Sequence, residues 1–291
     1  MITFVGHLTK DINVDNARRE ERIEVGGGVL YGSITAALLG VETVVLTKCA
    51  REDFESFRFL LQESGVKVFL LESRETTTIR NEYYSLDPDN RESYLVKKAD
   101  PFTRDDLSYI PYSDVIHINP LWYGEFEEEH IPLLRKKTGF LSADAQGFLR
   151  RVEKGGKMVY GKWLKKEYLP FLDFLKVDIR EAKSMTGESE LKKACKVISS
   201  FGPKYIMVTH TNGVVVFDGN FHEAPFEGWI LPGRTGRGDT CAAAFLVAFL
   251  FKGMKIEVAT KFSAKITSLK MLHPGPLRRE DVETLTGSWY I

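Results

Sequence analysis

Three cysteines in 291 residues, Cys49, Cys195 and Cys241, are too few and too scattered for a disulfide framework or a cysteine-rich zinc site. An excess of one charge sign is missing too: 40 Lys and Arg stand against 40 Asp and Glu. The chain lacks the basic surplus that nucleic acid or an anionic membrane surface would attract, and neither is expected as a partner. The longest apolar run, Cys241 to Phe251, is about half the ~20 residues a membrane span needs. The opening residues, MITFVGHLTKD, show no basic segment followed by a long apolar stretch. With no N-x-Ser/Thr sequon either, the cytoplasm is the expected compartment. The six histidines have no metal-ligand spacing, and H-E-x-x-H, G-x-S-x-G and G-x-x-x-x-G-K-S/T do not occur. Those absences remove zinc hydrolysis, acyl transfer on a nucleophile elbow and the P-loop route to phosphate.

What is present is ordinary globular material, 43% apolar and 27% charged, with no repeat and no Pro/Gly/Ser linker. Its length suits one large α/β domain or two small ones. Ile2 to Val5 reads as a strand, Leu30 to Leu39 as a small-residue helix stopped by Gly40, and Thr43 to Leu46 as a buried strand. Phe54 to Gln62 is patterned as an amphipathic helix and Val66 to Leu71 as the next strand. Such alternation predicts βαβ units on a parallel sheet. It resumes from Val115, with strands at 115–118, 139–143, 174–177 and 205–209, an adjacent strand pair at 214–217 and 222–224, and helices at 239–252 and 256–271. Between these lies a polar β pattern at 10–25 and a hairpin pattern over 76–98, turning at Asp87-Pro88-Asp89-Asn90. The reading is one domain over 1–291 carrying a small β lid. Ile12, Val14, Ile23 and Val25 fall on one face of that lid, which predicts a homodimer formed through it.

The strongest chemical feature is Gly233-Arg234-Thr235-Gly236-Arg237-Gly238-Asp239-Thr240, placed directly before an apolar helix. A glycine-rich turn entering a helix makes backbone N–H groups converge where the helix dipole adds positive charge, an anion hole suited to phosphoryl transfer. Asp239 is the one strong base there and can take the proton of an attacking hydroxyl; alternatively it is a stabilising carboxylate in a first turn. Asp178 and Glu181, three apart where a strand enters a helix, suit water-mediated contact with Mg²⁺ or, equally, a capping pair. Gly26-Gly27-Gly28 fails the G-x-G-x-x-G pattern; its glycines either let backbone approach a ligand's hydroxyls or form a plain tight turn. Asp144 and Gln146 follow one strand end and Asn119 follows another, where α/β sheets place ligands.

GRTGRGDT and the helix after it resemble the C-terminal signature of the ribokinase-like (PfkB) carbohydrate kinases, D-T-x-G-A-G-D. Gly26-Gly27 with Ala36-Ala37-Leu38-Leu39-Gly40 resembles that family's other signature, Asp11 matches its substrate-binding aspartate, FLKVDIRE its N-x-x-E segment, and Thr209 with Asn212-Gly213 its nucleotide-side turn. The blocks stand in family order and span nearly the whole chain. The resemblance implies an α/β fold, a three-layer αβα sandwich with a mostly parallel central sheet and a small β lid. It implies ATP-dependent phosphorylation of an alcohol on a small polyhydroxylated molecule such as a sugar, sugar acid or cyclitol, with a nucleoside, a vitamin precursor or a regulatory, non-catalytic role as alternatives. Asp239 would be the base; Gly236, Arg237 and Gly238 would hold the transferring phosphate; Asp11, Gly26, Gly27, Tyr31, Asn119, Asp144 and Gln146 would line the acceptor. Thr209, Gly213, Thr235, Gly236 and Gly238 would face the nucleotide, and Glu181 with Asp178 the Mg²⁺; a monovalent cation is left open. Gly233 stands in place of Asp, Arg237 of Ala, Asp178 of Asn, Tyr31 of Asn and Thr211 of Gly. The arginine of the family's D-x-N-x-R strand end has no counterpart, since Arg150 and Arg151 stand too far along.

Overall fold

A computed structural model describes residues 1–16, 18–84, 91–228 and 233–285. The turn expected at Asp87–Asn90 lies outside the described residues. Nine strands form the main sheet: β1 (Ile2–Val5), β4 (Thr43–Cys49), β5 (Lys67–Glu72), β8 (Ser113–Ile118), β9 (Thr138–Asp144), β12 (Phe174–Asp178), β13 (Tyr205–His210), β14 (Gly213–Phe217) and β15 (Phe221–Pro225). Their order is β15-β14-β13-β12-β9-β8-β1-β4-β5. All neighbours from β13 to β5 pair in parallel, while β13-β14-β15 is an antiparallel edge.

Central strands of such a sheet are buried on both faces, which is why they read as near-continuous apolar runs. One face packs on α1 (Gly28–Leu38), α2 (Arg51–Glu63), α7 (Arg237–Leu246) and α8 (Ile256–Lys270). The opposite face packs on α3 (Ile131–Arg135), α5 (Ile179–Thr186) and α6 (Leu191–Ser200). Two short helices, α4 (Gln146–Leu149) and α9 (Arg279–Glu283), complete the set among the described residues. The expected helix at 239–252 is instead α7 followed by one π-helical turn, Val247–Phe251, closed by Lys252 N–H on Val247 O at 3.1 Å. An uninterrupted apolar run carries no local mark for such a register change.

A second, four-stranded sheet has the order β3-β2-β6-β7, from β2 (Thr9–Asp15), β3 (Glu20–Gly26), β6 (Thr77–Tyr83) and β7 (Arg91–Lys97). β2 and β6 pair in parallel, Thr9 opposite Thr77 through Asp15 opposite Tyr83. Ile12 and Ile23 are register partners on the outer face; Ile23 is 67% exposed, and Lys10, Arg80 and Glu82 share that face. A short hairpin, β10 (Arg150–Val152) with β11 (Met158–Tyr160), had no counterpart in the sequence reading. Its strands are three residues each, below the length at which alternation becomes visible.

The lid is rooted in a buried node. His7 Nε2 donates to Asp100 O at 3.1 Å, and His7 Nδ1 accepts from Thr77 Oγ1 at 2.9 Å. Glu125 accepts from His7 N–H at 2.9 Å and Leu121 N–H at 2.8 Å. Burial is the main cause that pushes His7 down to about 3 and Glu125 up to about 8, each toward its neutral form.

α7, which delivers the glycine-rich loop, is held by Phe245. Its ring stacks on Phe174 of β12 and on Phe249, both at 5.6 Å. Phe245→Ala should lower the unfolding free energy by about 3–5 kcal/mol in denaturant titration, whereas Phe59→Ala, at a 64% exposed site, should stay within about 0.5 kcal/mol.

Candidate active site

The glycine-rich loop ends on Gly236, whose φ of 76° places it in the left-handed region as the N-cap of α7. The Tyr31 ring of α1 lies where a Cβ on Gly236 would project, so a close approach and a positive φ both demand glycine. Arg237 N–H turns back onto Arg234 O at 3.1 Å and Thr240 N–H onto Gly236 O at 2.9 Å. Arg237 was expected to offer its amide to phosphate; that amide closes the turn instead. The guanidinium lies 5.7 Å from the centre of the Phe226 ring, near His210. Gly238 and Asp239 remain as first-turn amides with no carbonyl four residues before them inside the helix.

Asp239 is oriented by a chain of buried polar groups. Asn119 Nδ2 donates to Asp239 Oδ1 at 2.9 Å and lies 3.4 Å from His117 Nε2; His117 Nδ1 meets Ser142 Oγ at 2.7 Å. Burial, its largest influence, lowers His117 to about 4, so the neutral ring accepts from Asn119 and donates from Nδ1 to Ser142. Gly28 lies against both Asn119 Oδ1 and Asp239 Oδ1, where any side chain would collide. The sequence reading weighed all three glycines as one turn but assigned only Gly26 and Gly27 to the acceptor. Gly26 lies against Asp11 and Thr9, and Gly27 opens α1.

Beneath the loop is a lysine that sequence reasoning missed, although its position inside the apolar strand FLKVD was a signal. Lys176 stands opposite Asp144 in the β12-β9 register, and Nζ meets Asp144 Oδ2 at 2.8 Å. A Cβ on Gly238 would lie 2.8 Å from that ammonium. Burial opposes the charge on Lys176, but Asp144, Glu181, Asp239 and Asp178 together outweigh it and hold the amine above the usual lysine range. Asp144 Oδ1 accepts from Gln146 N–H at 2.9 Å, so both its oxygens are engaged and the residue acts as counter-ion to Lys176. Thr209 Oγ1 lies beside the same loop, while Gly213 packs inside the β13-β14 edge against Ala224 O. Thr235 turns its carbonyl to Lys270.

Asp178 and Glu181 form a reciprocal capping box. Glu181 N–H donates to Asp178 Oδ1 at 2.7 Å, and Asp178 N–H donates to Glu181 Oε2 at 2.6 Å. Capping leaves Glu181 Oε1 buried without a hydrogen-bond partner. Burial first, and then the neighbouring Asp178, push Glu181 up to about 8. An unsatisfied oxygen in a hard, anionic setting fits Mg²⁺, which would restore the carboxylate. Capping and metal holding are therefore compatible, each using different oxygens.

The acceptor side comes from the inner face of the lid. Asp11 accepts from Thr9 Oγ1 at 2.9 Å, and burial, the dominant cause, raises its carboxyl to about 6. Asn13, Asn81 and Ser93 share that face through hydrogen bonds of 3.1 and 2.7 Å. Arg91 and Arg150 both direct positive charge at Asp11, and Arg150 also at Glu181. Spacing alone had dismissed Arg150; the short hairpin carries it to the cleft. Arg151 turns away, to Phe148 O and Lys162 O. The Tyr31 phenol is kept neutral by burial first and then by Asp11, Glu24 and Asp239.

Lys176→Met should cost about 3–5 kcal/mol in unfolding free energy by leaving Asp144 buried and unpaired, and Lys176→Met with Asp144→Leu should recover most of it. Equal losses in single and double variants would show that the ion pair is not the cause.

No family model matches the chain. A cytidine kinase from Thermococcus kodakarensis is 26% identical over 268 residues, 85% of this chain and 88% of that protein. Among solved structures, a sulfate complex of a pyrophosphate-dependent kinase in the ribokinase family is 58% identical, with a TM-score of 0.93 over 98% of this chain and all of that one. A pyrophosphate-dependent kinase of the same family, complexed with a pyrophosphate analogue and myo-inositol, is 56% identical, with a TM-score of 0.92 over 98% of this chain and 100% of that one. In a third, 55% identical with a TM-score of 0.90 over 97% of both chains, one Asn-to-Leu and one Ser-to-Leu exchange convert a pyrophosphate-dependent myo-inositol-1 kinase into a myo-inositol-3 kinase. Identity at this level along the whole chain, on a sheet whose strand ends meet the glycine-rich mouth of α7, makes this protein a kinase of the ribokinase family.

Proposed function

We propose that the chain transfers a phosphoryl group from pyrophosphate to a hydroxyl of a cyclitol of the myo-inositol class. The observation that carries the reading is Asp239, fixed by Asn119 at the positive end of α7 with the Lys176 ammonium close behind the loop. Asn119 engages one carboxylate oxygen, leaving the other to accept the hydroxyl proton as the alcohol oxygen bonds to phosphorus. The bond from phosphorus to the bridging oxygen breaks, and phosphate leaves. The Gly238 and Asp239 amides and Lys176 face the charge that develops on the transferring group. When bound, Mg²⁺ would supply charge neutralisation to the donor, held through the free oxygen of Glu181.

Pyrophosphate is preferred to the ATP of the sequence reading for two reasons. The solved relatives at 58% and 56% identity are pyrophosphate-dependent. Two of the residues that depart from the family pattern on the donor side are cationic or polar: Arg237 in place of Ala and Thr211 in place of Gly. A small, dense anion rewards added charge and needs no surface for a base. A cyclitol is preferred because the inner lid face is a polar array of Asp11, Asn13, Asn81 and Ser93, able to receive hydroxyls around a ring. Asn81 with Ser93 is also an Asn–Ser pair of the kind exchanged in the myo-inositol kinase relative. Lid closure would exclude water and suppress hydrolysis of the donor.

Purified chain supplied with Mg²⁺ and myo-inositol should form a phosphomonoester from pyrophosphate faster than from ATP, and faster than with cytidine or ribose as acceptor. Asp239→Asn should keep donor binding and lose turnover by at least ~10²-fold. Product formed only from ATP, or only on cytidine, would overturn the reading. For acceptor capture, Asp11 is the titrating group. Below its value of about 6 the carboxyl is protonated and loses its charge as a hydroxyl acceptor, so kcat/KM should fall as pH drops through about 6. Asp11→Asn should remove that limb from the profile.

A further inference from the structure

The anion hole has a charged support that its sequence signature does not contain. Lys270, in the last turn of α8, is wholly buried, and Nζ donates to the carbonyls of Gly233 and Thr235 in the glycine-rich loop. The loop returns a bond, Gly233 N–H to Met271 O at 3.1 Å. The Tyr31 ring, which packs on Gly236, lies 5.0 Å from the ammonium. The carbonyl end of α8 favours a cation at this spot. Two converging backbone carbonyls, a helix C-terminus and an aromatic face are what a desolvated monovalent cation would require. Here the covalently attached Lys270 Nζ takes both carbonyls; burial pulls the amine down to about 7, against the opposing pull of Asp239, Glu24 and Asp281.

We propose that Lys270 serves as a built-in monovalent cation: it holds the loop in the shape that presents the Gly238 and Asp239 amides, and transfer proceeds without a free potassium or ammonium ion. Lys270 is a positioning residue, since it reaches the loop from behind and touches none of the reacting atoms.

The kinetic arm of the test rests on the phosphoryl-transfer reading above; the melting arm does not. At equal ionic strength, so that screening is constant, the wild-type rate in tetramethylammonium, sodium and potassium chloride should agree within about 2-fold. Lys270→Ala should lose about 10²-fold in turnover through loop misplacement, and ammonium or potassium chloride at about 0.1 M should restore at least about a tenth of the wild-type rate, with tetramethylammonium restoring none. Independently of turnover, the melting temperature of Lys270→Ala should rise with potassium or ammonium over tetramethylammonium, and that of the wild type should not, since an ion that binds only the folded state stabilises it. Potassium activation of the wild type, or a Lys270→Ala protein that melts and turns over alike in every salt, would overturn the proposal. If Lys270→Ala does not fold, Lys270→Gln takes its place. If neither variant folds, salt independence of the wild-type rate and melting supports the proposal and potassium dependence of either defeats it. A chain inactive with every donor and acceptor would count against the functional reading and leave the melting comparison to decide the role of Lys270.

Discussion

A lysine in the middle of a central strand must be neutralised where it stands, and the cleft is built around that requirement. Lys176 occupies a position that strand alternation would give to an apolar side chain, between Phe174 below it and the mouth of α7 above. Asp144 meets it across the strand pair because parallel register sets the two residues opposite one another. Removing either charge alone would strand the other in a low-dielectric interior. The pair is neutral as a whole, but it places the ammonium end close behind amides whose own partial charges point the same way. Glu181, Asp178 and Asp239 then add enough negative potential to keep the ammonium protonated. Donor phosphate and metal would complete a balance that the protein holds with its own side chains.

The fold was legible because its elements are long and strongly periodic. Apolar runs at Thr43–Leu46, Val115–Ile118 and Tyr205–Thr209 have no polar face to show, so they can be only strands buried on both sides or core helices. The intervening amphipathic stretch at Phe54–Gln62 decides between the two. Boundaries drifted by a few residues, as at α2, where Arg51 to Asp53 precede the first apolar residue. Short features escaped altogether. β10 and β11 are set by pairing with each other rather than by local pattern, and the π-helical turn after α7 has the same composition as the helix it interrupts.

The candidate site was legible wherever chemistry and local backbone coincide, as at Gly236, Gly238 and Asp239. It was not legible where a distant strand or helix supplies the charge. Lys176, Arg91 and Arg150 reach the cleft, and Lys270 the back of its loop, from four different elements; the apolar run around Lys176 marks it as buried, but nothing near any of the four in sequence says what its ammonium or guanidinium will meet. Asp144 could be read as a strand-end carboxylate but not as a counter-ion, since that depends on which residue the neighbouring strand places opposite.

The buried node at the foot of the lid has a mechanical meaning. His7, Thr77 and Asp100 tie the two strands that leave the body to a single dry anchor, so any tilt of the small sheet pivots at the level of Thr9 and Thr77. Displacement on a stiff plate grows with distance from its axle. In such a tilt Asp11, two positions out in the register, would stay nearly stationary, while Asp15 and Tyr83 at the far end, roughly 20 Å out at about 3.3 Å per residue, would sweep the longest arc. In the proposed reading, the carboxylate that receives the acceptor would keep its aim while the rim of the sheet travels, and the cleft would open without letting go of its ring.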